Sequence, residues 1–143
     1  MHQFDLKNKT AVITGGAQGF GLDIAKKFLS SGCKVFIWDI DEKELIKATK
    51  EINNSNLNYN VVDVANFDQI QKAVSDITLK NKIDILINNA GITGPTAELW
   101  NYNVKDWNSI IDINLHGTFY CCKLIVPHMI KNNYGRIVNI ASV

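Results

Sequence analysis

Apolar residues follow two patterns that alternate along the chain. Short apolar runs without polar alternation are typical of strands buried on both faces, and apolar residues spaced three and four positions apart are typical of helices packed on one side. The runs that predict strands are residues 10–14, 34–39, 59–62, 83–88 and 135–142. The stretches that predict helices are residues 20–31, 41–52, 66–80 and a long region over 104–131.

The alternation of strands and helices predicts the fold class. Repeated strand–helix units joined by right-handed crossovers give an α/β fold, a doubly wound parallel sheet of the Rossmann type. Ligands of such sheets bind at the carboxyl ends of the strands, near the point where the strand order reverses. We therefore expect the chemistry to lie just after the predicted strands, next to Thr14, Asp39, Val62, Asn88 and Ala141.

A glycine-rich turn, "TGGAQGFG" at residues 14–21, follows the first predicted strand. Glycine lets a pyrophosphate approach the backbone closely, and the helix that follows directs free N–H groups at it. A purely structural turn is the alternative, but the position between a strand and a helix favours a phosphate site. The turn lacks the lysine of a P-loop, which disfavours a nucleotide triphosphatase. Its candidate cofactor-binding residues are Gly15, Ala17, Gln18, Gly19, Phe20 and Gly21.

Asp39 ends the second predicted strand, 18 residues after Gly21. A carboxylate at this position accepts hydrogen bonds from ribose hydroxyls and repels a 2′-phosphate. Gln18 is uncharged where a site for that phosphate would use a cation. Both features favour NAD over NADP as the cofactor; the alternative is that Asp39 only caps the helix beginning near Asp41.

Asp63 and Val64 follow the third predicted strand. Because this strand ends at the same edge of the sheet, the Asp63 carboxylate is a candidate acceptor for the adenine amino group, and the Val64 backbone is a candidate second contact. An ordinary loop aspartate is the alternative.

Composition and charge narrow the function. The chain has 143 residues, with 15 Lys and Arg against 14 Asp and Glu, which gives a net charge of +1. A net charge this small does not indicate nucleic acid or an anionic membrane as a partner. No apolar run reaches the length of a membrane span, and the polar N-terminus does not resemble a signal peptide. Three cysteines without C-x-x-C spacing and scattered histidines indicate reduced thiols, no metal site and a cytoplasmic protein.

Several motifs occur in one order along the chain. The glycine-rich turn and the Asp63-Val64 pair come first, followed by "NNAG" at 88–91, by "DINLHGTF" around Asn114 and by "GRIVNIAS", which ends on Ser142. In this order the motifs resemble those of the short-chain dehydrogenase/reductase family. Within that family, the pattern is most similar to the 3-oxoacyl-[acyl-carrier-protein] reductase-like group.

The resemblance implies roles for the remaining site residues. Ser142 would be catalytic and donate a hydrogen bond to the oxygen of the substrate. Asn114, the second catalytic candidate, would lie at a break in its helix and bind a water. Asn89 and Ala90, with Gly91 of the same motif, would hold the ribose on the nicotinamide side. Hydride would then pass between the nicotinamide and the substrate carbon.

The sequence departs from the family pattern at the catalytic base. The family's Tyr-x-x-x-Lys motif is expected about a dozen residues after Ser142, whereas this chain ends at Val143, and none of its tyrosines has a lysine four positions later. We therefore expect residues 1–143 to form the NAD-binding Rossmann domain at the N-terminal part of a single-domain enzyme. In this interpretation the sheet is truncated after its fifth strand, and the fragment lacks activity.

The resemblance implies an NAD(P)-dependent oxidoreductase that interconverts a secondary alcohol and a ketone, both small molecules. Two substrate classes stay open, a 3-oxoacyl thioester or a sugar, sugar acid or polyol. The resemblance also implies a homo-oligomer, a tetramer or dimer, when the protein is full-length. The alternative function is a dinucleotide-binding regulatory protein that has lost catalysis.

Overall fold

A five-stranded parallel sheet organises the chain. The computed structural model describes residues 5–141. The strands are β1 (Thr10–Thr14), β2 (Lys34–Asp39), β3 (Leu57–Val61), β4 (Ile85–Asn88) and β5 (Arg136–Asn139). Their order across the sheet is β3-β2-β1-β4-β5, and every neighbouring pair is parallel. The chain therefore runs from β1 to one edge and returns to the other side of β1, so the order reverses between β1 and β4. This confirms the predicted doubly wound architecture.

Helices connect the strands. They are α1 (Gly19–Ser30), α2 (Glu42–Ile52), α3 (Phe67–Thr78), α4 (Val104–Ile111) and α5 (Gly117–Lys131). A short 3₁₀ turn, Leu99–Asn101, precedes α4, and a π-helical turn, Asp112–His116, joins α4 to α5. The predicted helical region over 104–131 is therefore helical throughout, and α5 continues through Pro127. Within residues 5–141, no helix is both long and apolar enough to cross a bilayer.

Side-chain caps determine where two of these helices begin. The Asp41 carboxylate accepts the backbone N–H groups of Lys43 and Glu44 at the start of α2. The Asn66 side chain accepts the N–H of Gln69 at the start of α3, as the sequence predicts. Because Asp41 caps α2, the carboxylate of Asp39 is not needed for that purpose.

Two apolar cores lie on the two faces of the sheet. On one face, Val12, Trp38 and Leu86 pack with α3 and α5, and on the other face Ile13 and Ile37 pack with α1 and α2. Burial on both faces explains the continuous apolar runs of β1, β2 and β4. The edge strands differ from that expectation: β3 alternates between more and less buried residues, and all four residues of β5 are exposed.

A polar cluster joins three strands at the amino edge of the sheet, opposite the carboxyl ends. Asp84 is buried, and its carboxylate accepts the backbone N–H of Thr10 at 2.9 Å. The Lys9 ammonium lies 4.0 Å from the same carboxylate and 3.6 Å from the centre of the Tyr134 ring. The backbone N–H of Arg136 donates to the carbonyl of Asp84 at 2.9 Å. These contacts hold the starts of β1 and β5 to the residue that precedes β4.

Two cysteines are part of the apolar cores. Cys33 and Cys121 are both fully buried, and neither forms a disulfide. Burial disfavours a thiolate and raises the pKa of Cys33 to about 11 and the pKa of Cys121 to about 12. Both thiols therefore stay protonated and unreactive near neutral pH.

We expect these thiols to make folding sensitive to alkaline pH. Their folded-state pKa values lie above the ordinary value of 9.0, so the stabilisation is fully present below pH 9 and is lost as the pH rises toward 11 and 12. Chemical denaturation of Cys33→Ala and Cys121→Ala variants between pH 8 and about 11 should show a shallower loss of unfolding free energy than the parent protein. Val12→Ala, a truncation at a buried position that does not titrate, should lower stability equally at every pH. Equal slopes for the cysteine variants and the parent would contradict this expectation.

Candidate functional site

A cleft of about 330 Å³ opens at the carboxyl edge of the sheet, where the strand order reverses. A cleft of this volume is within the usual range for small-molecule and cofactor sites. Its walls come from loops that follow β1, β2, β3 and β4 and from the π-helical turn. The lining residues are Gly15, Gln18, Asp39, Ile40, Val62, Asp63, Val64, Asn89, Ala90, Gly91, Ile92 and Ile113.

The glycine-rich turn after β1 forms one side of the cleft. Gly15 and Gly19 have positive φ angles of 62° and 54°, a conformation that other residues adopt only at a cost. A side chain at Gly21 would overlap the carbonyl of Gly15, so this glycine allows α1 to pack against the turn. Gln18 precedes α1 in an extended conformation and does not cap it, which leaves N–H groups of the first helical turn for a ligand. The turn therefore has the geometry of an anion site.

The Asp39 carboxylate lies between this turn and the end of β2. One of its oxygens accepts the backbone N–H of Ala17 at 3.3 Å, and the other accepts the N–H of Asp41 at 3.2 Å. These bonds fix the carboxylate at the mouth of the cleft and link it to the phosphate-type turn. Asp39 is thus placed to accept further hydrogen bonds from a ligand that also contacts the turn.

Local hydrogen bonds hold the loop after β3. The Asp63 side chain accepts the N–H of Ala65 at 2.9 Å, and the Asp63 backbone N–H donates to the Gln69 side chain at 2.8 Å. Val64 is buried between the cleft and the core below it. Together with Val62, the loop therefore presents one carboxylate and two apolar side chains to the cleft.

A hydrogen-bonded clamp joins the ends of β1 and β4. The Thr14 hydroxyl accepts the backbone N–H groups of Asn89 and Ala90, both at 3.0 Å. The Asn89 side chain donates to the carbonyls of Thr14 and Gly15, also at 3.0 Å. The amide donors of Asn89 are therefore used within the protein, and its contribution to the cleft is to hold the glycine-rich turn in place.

Asn114 makes a second clamp from the π-helical turn. Its side-chain oxygen accepts the N–H of Ile92 at 2.9 Å, and its side-chain nitrogen donates to the carbonyl of Ile92 at 2.8 Å. The structure thus places Asn114 at an interruption of its helix, where the resemblance puts it. Its backbone carbonyl accepts the Thr118 hydroxyl at 3.2 Å. A carbonyl has a second lone pair, which leaves capacity for one further donor such as a water.

The predicted site residues do not all reach the cleft. Phe20 is 79% exposed at the start of α1, and Ala17 acts through its N–H to Asp39. Ser142 lies outside the described residues. Sequence reasoning identified Thr14 and Val62 only as strand ends near the expected site, and it missed the hydrogen bonds of Thr14 and the place of Val62 in the cleft lining. It missed the other apolar lining residues, Ile40, Ile92 and Ile113, altogether.

The donor set determines what the cleft can bind. Backbone N–H groups at the start of α1 suit a phosphate, the Asp39 and Asp63 carboxylates suit hydroxyl or amino groups, and Ile40 suits the face of an aromatic base. Among residues 5–141, no group of three or more histidine, cysteine or acidic side chains is arranged to hold a metal ion. The fold and this cleft together define an open α/β protein with a site of dinucleotide type.

Comparison with known proteins gives the family. The family model for short chain dehydrogenases matches residues 9–143, and the chain belongs to this family. It is 40% identical over 136 residues to the 2-dehydro-3-deoxy-L-rhamnonate dehydrogenase (NAD(+)) of Sphingomonas sp. strain SKA58, covering 94% of this chain and 54% of that protein. It is 37% identical over 141 residues to the 3-oxoacyl-[acyl-carrier-protein] reductase of Chlamydia pneumoniae, covering 96% and 56%.

Solved structures agree with this assignment. A closed form of serine dehydrogenase complexed with NADP⁺ superposes with a TM-score of 0.89 at 31% identity, over 94% of this chain and 54% of that one. The chain spans about half the length of the curated relatives it matches. The resemblance to the family that the motifs indicated is thereby confirmed.

The clamp between β1 and β4 can be tested at Thr14. Thr14→Val keeps the shape of the side chain but leaves the N–H groups of Asn89 and Ala90 without their acceptor. We expect a loss of about 1–3 kcal/mol in unfolding free energy, measured by chemical denaturation. Thr10→Val is the matched control, because Thr10 is buried at the other end of β1 and no hydrogen bond of its hydroxyl is found among the described residues. Equal effects of the two substitutions would contradict the role of the clamp.

Proposed function

We propose that this chain is the cofactor-binding part of an NAD(P)-dependent oxidoreductase that interconverts a secondary alcohol and a ketone. The observation that carries the proposal is the link between Asp39 and the glycine-rich turn, through the N–H of Ala17. It brings a ribose acceptor and a phosphate site to one cleft at the reversal of strand order, which is the arrangement that a dinucleotide requires. Membership of the short chain dehydrogenase family supports the same conclusion.

NAD is the preferred cofactor in this proposal. The Asp39 carboxylate opposes a 2′-phosphate by charge repulsion, and Gln18, across the mouth of the cleft, supplies no cation to offset it. The relative of highest identity reported above has NAD(+) in its name, whereas the serine dehydrogenase structure holds NADP⁺. The fold therefore accepts both cofactors, and the preference rests on the side chains at this position.

The bound cofactor supplies the hydride donor or acceptor. In the protein, the turn at Gly15 and Gly19 binds the pyrophosphate, and Asp39 orients the adenosine ribose. The clamps of Asn89 and Asn114 fix the loop from Asn89 to Ile92, which carries the nicotinamide-side ribose. Ser142 donates a hydrogen bond to the substrate oxygen and stabilises the charge that develops there.

We propose a sugar, sugar acid or polyol as the substrate class. Asp39 favours NAD, which suits oxidation of an alcohol, and the relative of highest identity reported above is named as a rhamnonate-derivative dehydrogenase. A 3-oxoacyl thioester is the second candidate, because 3-oxoacyl-[acyl-carrier-protein] reductases match the chain at 37% identity. The family resemblance supports a homo-oligomer, a dimer or tetramer, of the full-length protein, and the exposed apolar residues Trp107 on α4 and Phe119 on α5 are candidates for its interface.

A dinucleotide-binding regulatory protein without catalysis is the alternative function. Its support is that the cleft holds groups suited to binding a dinucleotide, and a protein that only senses the dinucleotide needs the same groups. Sequencing the reading frame beyond Val143 separates the two functions. A Tyr-x-x-x-Lys motif about a dozen residues after Ser142 favours the enzyme, and a stop codon directly after Val143 favours the regulatory protein.

We expect the complete gene product to bind NADH more tightly than NADPH. Repulsion between Asp39 and the 2′-phosphate should weaken NADPH binding by about tenfold or more, measured by fluorescence titration at low ionic strength. Asp39→Asn is the control variant: it removes the charge and its single amide oxygen keeps the bond from the Ala17 N–H, while the bond from the Asp41 N–H is lost. The ratio of the two dissociation constants should shrink in this variant. Equal affinities of the parent protein for NADH and NADPH would contradict the proposed preference.

We expect Ser142→Ala in the complete gene product to lower kcat by about a hundredfold, the scale of losing one donor to a developing oxyanion. The dissociation constant for NADH should stay unchanged, because the serine acts on the substrate. Steady-state kinetics and a NADH titration together measure both effects. Turnover close to that of the parent protein would remove the assigned role.

A further inference from the structure

Val64, which lines the cleft, packs directly against a glycine at the start of α5. Gly117 is the first residue of α5 and is buried. A Cβ atom at Gly117 would lie 2.9 Å from Val64 Cγ2, 3.0 Å from Val64 Cβ and 3.2 Å from the Val64 carbonyl oxygen. Carbon atoms pack at separations of about 3.5–4.0 Å, so even a methyl side chain does not fit unless the loop or the helix moves.

Backbone conformation does not explain this glycine. Gly117 has φ −58° and ψ −45°, ordinary right-handed helical angles that any residue adopts. Glycine destabilises a helix relative to alanine, so the residue needs another reason at this position. The close approach of Val64, through both its side chain and its carbonyl, is that reason.

The same helical segment contacts two loops of the cleft. Asn114 holds the backbone of Ile92, and Gly117, one turn later, meets Val64. Ile92 and Val64 both line the cleft. The π-helical turn and the start of α5 therefore form one support under the loops that follow β3 and β4.

We propose that Gly117 is a positioning residue for the adenosine half of the dinucleotide. By lacking a side chain, it lets the loop of Asp63 and Val64 approach α5 and sets the distance of that loop from Asp39 across the cleft. A larger residue at 117 displaces Val64 toward the cleft and narrows the space for the adenine. This inference rests on the proposed dinucleotide function.

The test is the affinity of Gly117→Ala for NADH and for AMP, which contains only the adenosine half and one phosphate. In the complete gene product, Gly117→Ala should bind both ligands about tenfold more weakly than the parent protein does. This is the scale expected for one overpacked methyl group. Calorimetric titration gives the affinities, and circular dichroism confirms that the variant is folded. If the parent protein binds NADH and Gly117→Ala binds both ligands with unchanged affinity, the inference about Gly117 is overturned and the proposed function is not.

Gly135→Ala is the matched control. It adds the same methyl group near the other end of α5, where a Cβ would lie 2.6 Å from Met129 Sδ and 2.8 Å from Met129 Cβ. Gly135 does not line the cleft. This variant should melt at a lower temperature than the parent protein and keep its affinity for NADH and AMP. A loss of affinity equal to that of Gly117→Ala would show that general destabilisation is the cause and would overturn the inference.

A second substitution removes the nearest contact. Val64→Ala deletes the Cγ2 atom, so the added methyl group of Gly117→Ala should weaken NADH binding less in this background than beside Val64. Equal losses in the two backgrounds would contradict the inference. If Gly117→Ala alone does not fold, Val64→Ala is compared with the double variant that carries both substitutions. The double variant should fold, and its dissociation constant for NADH should lie within about threefold of that of Val64→Ala. A double variant that is unfolded or binds much more weakly would overturn the inference, whereas a parent protein that binds no NADH would overturn the proposed function itself.

Discussion

The hydrogen bonds between Thr14 and Asn89 are the contact on which the cleft depends. They join the ends of β1 and β4, two strands separated by about seventy residues of chain, at the point where the strand order reverses. The Thr14 hydroxyl and the N–H donors of the clamp have partners within the protein, so the cost of burying them is met without a ligand. The glycine-rich turn is thereby held in shape before any cofactor arrives, which lowers the conformational entropy that binding has to remove.

Supports of different kinds surround this clamp. Asp39 is connected to the turn by the N–H of Ala17, Asn114 holds the loop after β4 through Ile92, and Gly117 holds the loop after β3 through Val64. None of these supports is a strong interaction by itself. Because they act on separate loops that meet at one edge of the sheet, together they place acceptors, N–H donors and apolar walls at fixed separations.

The sequence predicted the central strands and missed the alternating burial of β3, and the reason is burial. Strands β1, β2 and β4 are covered on both faces, so their apolar runs are continuous, whereas β3 alternates and β5 is exposed. The positions of Gly15, Gly19 and Asp39 were predictable because a turn and a strand end determine them locally. Thr14, Ile40 and Ile113 were not, because their place in the cleft depends on contacts between distant segments. The family resemblance placed a break at Asn114, whereas the helical periodicity over 104–131 did not reveal that this break is a π-helical turn.

The anchoring of β5 at both of its ends has a consequence for the side chains that follow the strand. Its first N–H donates to the carbonyl of Asp84 at the amino edge, and the N–H of Ile140 donates to the carbonyl of Asn88 at the carboxyl edge. A strand tied in this way is a spacer of set length, roughly 3.3 Å for each residue. Insertion or deletion of a single residue between the two ties would turn every later side chain to the opposite face of the sheet. The number of residues between the two ties therefore determines which face of the sheet the residues after β5 occupy.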